Sequence, residues 1–316
     1  MKHLFIVNPI AGGRDRTQEV TAQVEAAFAG RSESFEVYTT TAPMDACRKI
    51  EAEAASGDAL RVYACGGDGT LNECVCGAAG RGNVAVTHFP GGTGNDFVRC
   101  FGAEKDRFRD LEALLDGEVR QLDVIDCNGR KSINICSVGI DARIGTEVHK
   151  YSSLPLLGGK ASYITSAAVN LIKGVRQPLR VRCGGRIWEG DMSLSCACNG
   201  SYYGGGFHPV PEARPDDGIL DFLIVKGVSR LGFVRLVGAY AKGKYAAIPD
   251  FITHVRGSSI EIDSDEELAV NVDGEAIYGK TVRIRLEKGA VNFIVPKDME
   301  FFREAPAAAA GVQNNA

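Results

Sequence analysis

The sequence lacks a long apolar run. The nearest approach, residues 154–172, is interrupted by Pro155, Lys160 and Asn170 among others. A membrane-crossing helix needs about 20 consecutive apolar residues, so we expect none in this chain. An excess of basic charge is missing too: 36 Lys and Arg stand against 40 Asp and Glu, and the net charge is −4. That balance argues against a nucleic-acid-binding protein, while a local basic patch that meets a membrane remains open.

Paired metal-binding patterns are scarce. Ten cysteines occur without a Cys-x-x-Cys, and the five histidines are scattered. Cysteines such as Cys196 and Cys198 alternate with other residues in strand-like runs, which predicts buried, free thiols; a zinc site is the alternative. Met1-Lys2-His3 leads directly into a strand-like run, without the pattern of a secretory signal. We therefore expect a protein of the reducing cytoplasm.

Glycine, in contrast, is concentrated at the end of a predicted strand. An apolar strand at 60–64 runs into Cys65-Gly66-Gly67-Asp68-Gly69-Thr70-Leu71-Asn72, and an amphipathic segment begins near Thr70. Glycines at a strand exit let a phosphate chain approach the backbone, and the helix that follows adds its positive end. Asp68 would repel phosphates unless a cation or a polar network lies between. The stretch predicts a nucleotide-phosphate loop; an ordinary glycine-rich turn is the alternative.

Two further loops share this design. Residues 90–97, Pro-Gly-Gly-Thr-Gly-Asn-Asp-Phe, follow a strand at 84–89, and residues 8–13, Asn-Pro-Ile-Ala-Gly-Gly, follow a strand at 2–7. Parallel strands exit at one edge of a sheet, so we expect the three loops to face one crevice. We call them the first (8–13), second (66–72) and third (90–97) glycine loops.

The predicted secondary structure changes its pattern near residue 120. Up to that point strands alternate with helices, predicted at 17–29, 43–55 and 107–115, which indicates a parallel sheet with helices on both faces. Beyond it strands dominate, with helices only near 159–175 and 229–245, which indicates an antiparallel sandwich. The predicted strands of this part are 121–127, 132–137, 179–182, 192–197, 219–225, 260–262, 268–272, 282–286 and 291–295.

The three glycine loops, in this order and spacing, resemble those of the diacylglycerol kinase catalytic domain family, and the chain looks like the soluble bacterial lipid kinases of that family. The resemblance covers about residues 1–300 and extends in fold to NAD kinases and 6-phosphofructokinases. It implies a nucleotide-binding α/β domain at 1–123 and a β-sandwich domain at 124–300. It also implies an active site in the cleft between them and a last element, near Phe301, that returns to the first domain. Residues 304–316 read as a disordered tail.

The resemblance implies an ATP site. A Walker-type Gly-x4-Gly-Lys-Ser/Thr and the protein-kinase motif set are both absent from the sequence. Thr40 is placed by its match to a Thr-containing turn, and Thr39 and Thr41 beside it leave the register open; simple helix capping is the alternative for Thr40. The residues implied to contact ATP are Asn8, Thr40, Gly66, Gly67, Asp68, Gly69, Thr70, Leu71, Asn72 and Thr93.

The catalytic base is implied at Asp273. Asp273-Gly274 taken alone is more often a hairpin turn. The resemblance of Asp273-Gly274-Glu275 to the family's catalytic element reverses this, so that Asp273 would accept the proton of the attacking hydroxyl. Asp68 is the second residue implied in catalysis. Glu275 could assist, with surface exposure as the alternative.

Two features of the sequence point to Mg²⁺: an acidic loop at 214–219 and acidic residues implied to lie beside the nucleotide phosphates. Adjacent carboxylates before a glycine at Asp216-Asp217-Gly218 suit a hard cation, although a solvated acidic turn remains the alternative. The resemblance implies a structural Mg²⁺ held by Asp217 and the carbonyls of Arg214 and Ile219. The resemblance also brings Asp68, Asp96, Asp123 and Asp273 toward one cleft, where carboxylates repel a polyphosphate unless Mg²⁺ lies between, and we expect an absolute requirement for the ion. The supporting acidic network that the resemblance implies comprises Asp96, Asp123, Asp216 and Glu275.

The acceptor is implied to be a lipid alcohol: diacylglycerol, phosphatidylglycerol or a sphingoid base. A candidate lipid-facing stretch runs from Tyr151 through the helix to Ile172, and a domain-packing helix is its alternative. NAD kinase stays open because Asn72-Glu73 is present, and so does a catalytically silent nucleotide-binding regulator. A homodimer and peripheral contact with the inner membrane face are left open as well.

Overall fold

A computed structural model describes residues 1–92, 94–145 and 169–303. The chain divides into two units. Unit 1 comprises Met1–Val124, Pro215–Asp217 and the chain from Glu287; unit 2 comprises the described parts of Ile125–Arg214 and Gly218–Leu286. Residues 287–300, which sequence analysis placed in the second domain, therefore lie in unit 1.

Unit 1 contains a parallel sheet. Its strands are β1 (Lys2–Val7), β2 (Ser34–Thr39), β3 (Leu60–Gly66) and β4 (Val84–Pro90), in the spatial order β2-β1-β3-β4. Each neighbouring pair is parallel, as strands joined by helices require. Near the end of the chain, Asn292 and Phe293 pair in parallel with Ala85 and Val86 of β4, which adds a fifth member to the sheet.

The helices of unit 1 follow the strands. They are α1 (Thr17–Ala27), α2 (Asp45–Ala54), α3 (Asp68–Ala78), α4 (Asp96–Arg99) and α5 (Leu111–Leu115). The single helix predicted over 107–115 is instead a 3-10 helix, Gly102–Arg109, followed by α5. The break occurs because the Asp110 side chain accepts a hydrogen bond from Ala113 N and so caps a new helix.

Buried aromatic and small residues fix the sheet and its helices. Phe5 stacks on Tyr63 with ring centroids 4.4 Å apart, and Phe28, after α1, packs edge-on against Phe5. Helix α3 approaches α2 closely at Gly77, where a Cβ would lie 2.9 Å from the Cys47 carbonyl oxygen. The N-terminus of α3, and with it the second glycine loop, is thereby held in place. At the end of the described chain, the Phe301 ring packs on Phe101 at 4.9 Å.

Unit 2 is antiparallel. Its elements are the end of β5 (Glu118–Cys127), β6 (Arg130–Ser132), β7 (Ile135–Gly139), β8 (Gln177–Cys183), β9 (Arg186–Cys198), β10 (Leu220–Lys226), α6 (Arg230–Tyr240), β11 (Ile252–Gly257), β12 (Ser259–Val272) and the first part of β13 (Glu275–Val295). The strands follow the order β11-β10-β9-β7-β12-β13, and β8 also pairs with β9 and β12. The predicted α/β unit followed by an antiparallel β-rich unit is thus confirmed.

Three details differ from the predicted strands. The strand expected at 132–137 is broken between β6 and β7. β12 and β13 each merge two predicted strands, and β11 was not predicted. The merged β12 carries an irregularity between Asp263 and Leu268, where the acidic run 263–267 masked its continuity in sequence.

Two apolar clusters flank the central strands of unit 2. One contains Val138, Val181 and Phe222, and the other contains Leu223, Tyr203 and Tyr240, the last from α6. All ten cysteines are free, as predicted, and eight are buried. Six of the eight lie in strands, whereas Cys47 lies in α2 and Cys74 in α3. Within the part of the chain that the structure describes, no helix is both long and apolar enough to cross a membrane.

Candidate active site

The three glycine loops of unit 1 touch one another. The carbonyl oxygen of Gly66 accepts hydrogen bonds from Gly91 N at 2.7 Å and Gly92 N at 3.2 Å. The ring nitrogen Nε2 of the fully buried His88 lies 3.0 Å from the same oxygen. Three donors on one carbonyl hold the second and third loops in a fixed relation.

Glycine is required at these contacts. A Cβ on Gly92 would lie 2.5 Å from Gly67 Cα, and a Cβ on Gly12 would lie 2.7 Å from the Gly91 carbonyl oxygen. Gly12 also has φ of 69°, in the left-handed region that favours glycine. The expectation that the loops share one sheet edge therefore agrees with the geometry.

Asn8 and Thr40 shape the loops at the ends of β1 and β2. Asn8 Oδ1 accepts from Ile10 N at 3.1 Å, which closes the first loop. Thr40 donates to the Val7 carbonyl through both its backbone N, at 2.9 Å, and its hydroxyl, at 3.4 Å. Thr40 does not cap α2, so the capping alternative is wrong. Asp45 instead accepts from Thr41 there, and Glu73 Oε2 accepts from Ala46 N at 3.2 Å.

The second loop presents only part of its run to the surface. Gly69 is exposed, and a Cβ there would meet no atom within 4 Å. Thr70 is buried beside Gly66, and its hydroxyl has no hydrogen-bond partner among the described residues. Leu71 and Asn72 are fully buried in α3, so their side chains support the loop from below. Thr93 lies outside the described residues.

Asp68 and Asp96 converge beside Gly94. The Oδ2 atoms of both lie within 3.7 Å of the point where a Gly94 Cβ would stand, Asp68 at 2.9 Å and Asp96 at 3.7 Å. Asp68 Oδ1 accepts from Phe97 N at 3.2 Å, and Arg99 lies 3.5 Å from Asp96 Oδ1. Two carboxylates so placed attract a cation, and hard oxygen donors are those Mg²⁺ prefers.

Arg16 is a residue that sequence analysis missed. A Cβ on Gly91 would lie 2.6 Å from Arg16 Nη1, so the guanidinium covers the third loop. Glu19 holds it there through a hydrogen bond of 2.6 Å. A guanidinium against a glycine loop suits phosphate binding. The signal was the basic pair Arg14 and Arg16 directly after the first glycine loop, but the sequence does not say which of them turns inward.

Asp123 is more deeply buried than Asp216 and Asp217. Asp123 is buried; its carboxylate accepts from Gly289 N at 2.7 Å and its own N donates to the Pro215 carbonyl at 2.7 Å. Those bonds tie three segments of unit 1 together. Asp216 and Asp217 are half-buried beside Gly218, whose φ is 73°.

The donor chemistry of the 214–219 loop fits a hard cation. The carboxylate of Asp217 and the carbonyls of Arg214 and Ile219 are all oxygen donors, while the Pro215 carbonyl already accepts from Asp123 N. Among the described residues no cluster of three or more His, Cys, Asp or Glu side chains is placed to hold a metal. A cation here or at Asp68 would therefore complete its shell with backbone oxygens, water or phosphate.

In unit 2, Asp273 is held by a nest of backbone amides. Its Oδ2 accepts from Ile133 N at 2.8 Å and Asn134 N at 3.3 Å, and its Oδ1 accepts from Ile135 N at 2.8 Å. The amides come from the break between β6 and β7, which explains why the strand predicted there does not continue. Asp273 also has φ of 50°, which few non-glycine residues adopt.

Neighbouring side chains hold this arrangement. Asn271 Oδ1 accepts from Gly274 N at 2.7 Å and fixes the turn, and Asn134 Nδ2 donates to the Tyr202 carbonyl at 2.7 Å. Glu275 is exposed at the start of β13, in keeping with the surface alternative. Strain and nested hydrogen bonds at one carboxylate are features that functional sites often share.

Unit 2 also contains an apolar cavity of about 350 Å³. Side chains such as Ile140, Leu194, Phe233 and Val237 line it, and Asp141 is the charged side chain among the lining residues that the structure describes. The Ser137 hydroxyl donates to Asp141 Oδ2 at 2.7 Å. Burial raises the pKa of Asp141, while hydrogen bonds from Ser137 and Tyr203 oppose that rise. Asp141 was not predicted as a site residue, because its only signal in the sequence is its position shortly after Gly139, at the end of a strand.

Comparisons with known proteins agree with these features. Residues 2–127 match the diacylglycerol kinase catalytic domain, and residues 134–295 match the YegS C-terminal NAD kinase beta sandwich-like domain. A protein of Pseudomonas aeruginosa named "probable lipid kinase YegS-like" is 31% identical over 297 residues, 94% of each chain. The diacylglycerol kinase of Bacillus subtilis is 26% identical, covering 88% of this chain and 91% of its own.

A solved structure extends the likeness. The crystal structure of a diacylglycerol kinase from Bacillus anthracis str. Sterne superposes with a TM-score of 0.66 at 26% identity, covering 94% of this chain and 98% of its own. The glycine loops, the antiparallel second unit and these relatives agree, and the chain belongs to the diacylglycerol kinase-like lipid kinases and is a kinase.

Proposed function

We propose that this kinase transfers the γ-phosphoryl group of ATP to the hydroxyl of a lipid, with Mg²⁺. The observation that carries the acceptor class is the apolar cavity of unit 2, whose volume of about 350 Å³ and whose one carboxylate among the described lining residues suit an acyl chain with a polar end. Diacylglycerol, phosphatidylglycerol and a sphingoid base all have that chemistry.

The nucleotide half of the reaction belongs to the glycine loops of unit 1. Their close backbones and the N-terminus of α3 supply amide donors for phosphate oxygens. Of the residues proposed to contact ATP, Gly67, Asp68 and Gly69 are accessible at the surface, while Leu71 and Asn72 act from within α3. The proposed set of ATP-contacting residues also keeps Asn8, Thr40, Gly66, Thr70 and Thr93. Arg16 is added to it as the positively charged side chain that would bind phosphate.

Asp68 and Asp96 would hold a Mg²⁺ that accompanies the nucleotide, and the 214–219 loop would hold a structural one. The ion supplies positive charge against the phosphate oxygens when bound. These two residues are placed to hold the ion together, because the Oδ2 atoms of both lie near one point beside Gly94. Asp123 supports the fold through its bonds to Gly289 N and the Pro215 carbonyl, and Asp216 stays in the proposed supporting network of acidic residues.

Asp273 takes the proton of the acceptor hydroxyl. Its Oδ1 receives one of the amide hydrogen bonds and Oδ2 receives two, so Oδ1 is the better proton acceptor. The amides fix the carboxylate without contributing charge of their own. A positioned general base of this kind typically accelerates a reaction by a factor of about 10²–10⁴.

NAD kinase activity is less favoured. The Asn72-Glu73 pair that suggested it has structural partners here, since Glu73 accepts from Ala46 N and Asn72 is fully buried. A silent regulator is also disfavoured, because Asp68, Asp217 and Asp273 are all present. Cytoplasmic placement, contact with the inner membrane face and a homodimer remain proposals.

The test is transfer of labelled γ-phosphate from ATP and Mg²⁺ to diacylglycerol, phosphatidylglycerol and sphingosine in neutral mixed micelles, beside NAD. Asp273→Asn and Asp68→Asn serve as inactive variants, and Glu275→Gln as the matched control. Label in one lipid that disappears with both inactive variants supports the proposal and names the acceptor. Label in NAD, or in no acceptor while ATP binds, overturns it.

A further inference from the structure

Helix α6 exposes apolar side chains in unit 2. Leu231 is 60% exposed and Val234 is 55% exposed. Ile172, 73% exposed, lies next to them, because Arg230 donates to the carbonyls of Leu171 and Ile172 at 2.8 and 2.7 Å. We call Ile172, Leu231 and Val234 the docking face. Single exposed aliphatics are ordinary, whereas several on one helix and the segment beside it are typical of an interaction surface.

The opposite side of α6 is apolar as well. Phe233, Val237 and Tyr240 line the cavity, and Val234 belongs to both the cavity wall and the docking face. Helix α6 therefore has apolar side chains on two sides, and Arg230 and Arg235 are its charged residues. Because Val234 joins the two, the docking face is continuous with the cavity proposed for the acceptor.

The two chain segments that carry the docking face contain basic but no acidic residues. The stretches 169–176 and 226–245 contain no Asp or Glu, although the whole chain has more acidic than basic residues. Among elements packed nearby, Asp191 of β9 lies 4.0 Å from Arg176, and Asp141 faces the cavity rather than the docking face's basic rim. The basic residues of the two stretches are Lys173, Arg176, Lys226, Arg230, Arg235, Lys242 and Lys244.

We propose that α6 docks the protein on an anionic lipid bilayer, with the docking face in the interface and the basic residues around it on lipid phosphates. Apolar side chains with Lys and Arg beside them are the pattern of helices that lie in a membrane surface. The inference rests on the proposed function for its purpose, since a docked α6 would place the cavity proposed for the acceptor beside the bilayer. Binding itself is measured without turnover.

The test is co-sedimentation, without ATP, with vesicles of phosphatidylcholine and phosphatidylserine beside vesicles of phosphatidylcholine alone. The variant Leu231→Ser/Arg235→Ser removes one exposed aliphatic and one cation from α6. The matched control, Ile187→Ser/Lys280→Ser, also removes one exposed aliphatic and one cation, at positions of β9 and β13. Circular dichroism confirms that both variants fold.

We expect wild type to bind the anionic vesicles and the α6 variant to bind at least about tenfold more weakly, of which about fivefold comes from the arginine. The control keeps wild-type binding. Unchanged binding by the α6 variant, or equal loss in the control, overturns the inference. Loss of a dimer in ultracentrifugation without loss of vesicle binding would assign the face to a second copy instead and overturn it too.

The outcomes separate docking from the proposed function. Turnover of a short-chain, soluble diacylglycerol by wild type that does not bind vesicles would leave the kinase proposal standing and end the docking one. Vesicle binding that depends on α6, without phosphorylation of any lipid, would do the reverse.

Discussion

Asp273 and Ile135 are joined by two reciprocal hydrogen bonds. Ile135 N donates to Asp273 Oδ1 at 2.8 Å, and Asp273 N donates to the Ile135 carbonyl at 3.1 Å. A turn residue at the end of β12 and the first residue of β7 thus fix each other. The carboxylate cannot rotate without breaking bonds to the amides of the β6–β7 break.

Replacing Asp273 with asparagine should lower activity and stability together. Asparagine keeps one oxygen but turns an NH₂ group toward at least one backbone N–H, and an unmet donor costs about 1–3 kcal/mol. We expect phosphate transfer to fall by about a hundredfold or more through loss of the base. Transfer assays and urea unfolding measure the two effects.

The neighbouring Glu275→Gln is the control, because Glu275 is exposed. It should alter both quantities by less than about twofold or 0.5 kcal/mol. Asp273→Asn with wild-type turnover would remove Asp273 from catalysis.

Gly69→Ala tests whether phosphates approach α3. A Cβ there meets no protein atom within 4 Å, so the folded protein accommodates it. A bound phosphate would meet it, and we expect the Kd for ATP to rise about tenfold, or about 1.4 kcal/mol. Calorimetric titration with ATP measures this.

Gly82→Ala is matched, since its Cβ is also unopposed and it lies before β4, away from the glycine loops. An equal change in both variants, or none in Gly69→Ala, would mean that the nucleotide does not reach the helix end.

Arg16→Gln should weaken ATP binding more than Arg14→Gln. Both arginines bond to Glu19, but Arg16 covers Gly91 while the Arg14 side chain is 72% exposed. Loss of a phosphate-binding guanidinium removes a charge-assisted hydrogen bond, and we expect KM for ATP to rise about tenfold. Steady-state kinetics on the two variants decide it; identical KM values would show that Arg16 acts only on the fold.

Asp141→Asn should change how stability depends on pH. Burial raises the pKa of Asp141 above its ordinary 3.8, so the carboxyl favours its neutral form in the folded state. The stability that Asp141 contributes to the free energy of unfolding is fully present below pH 3.8, and it is lost as the pH rises through the raised pKa. The difference in free energy of unfolding, wild type minus Asp141→Asn, should therefore become more negative as pH rises from about 4. Urea unfolding over a pH series measures it, and a constant difference would contradict it.

Local patterns predicted the fold where one segment determines its own structure. Alternating strands and helices gave the parallel sheet of unit 1, and glycines at three strand exits indicated loops at one edge. The 107–115 helix was misjudged because a single cap, Asp110, divides it. The strand at 132–137 was misjudged because its interruption depends on Asp273, 140 residues away from Ile133.

The residues of the candidate site also differ in how well local sequence predicts them. Asp68 and the glycine loops carry their signal in adjacent residues. Arg16 and Asp141 do not, because their importance comes from what tertiary packing places beside them: Gly91 for Arg16, and an apolar cavity for Asp141. A sequence fixes which side chains exist, whereas only the folded chain decides which of two nearby arginines turns inward.

The bond between His88 and Gly66 determines the tautomer of a histidine. A carbonyl oxygen can only accept, so Nε2 carries the ring proton and Nδ1 does not. Burial lowers the pKa of His88, which keeps the ring neutral. The neutral imidazole therefore serves as a hydrogen-bond donor to the second glycine loop. The contact that β4 makes with this loop through His88 does not require the histidine to carry a charge, so the two glycine loops are joined by a neutral bond.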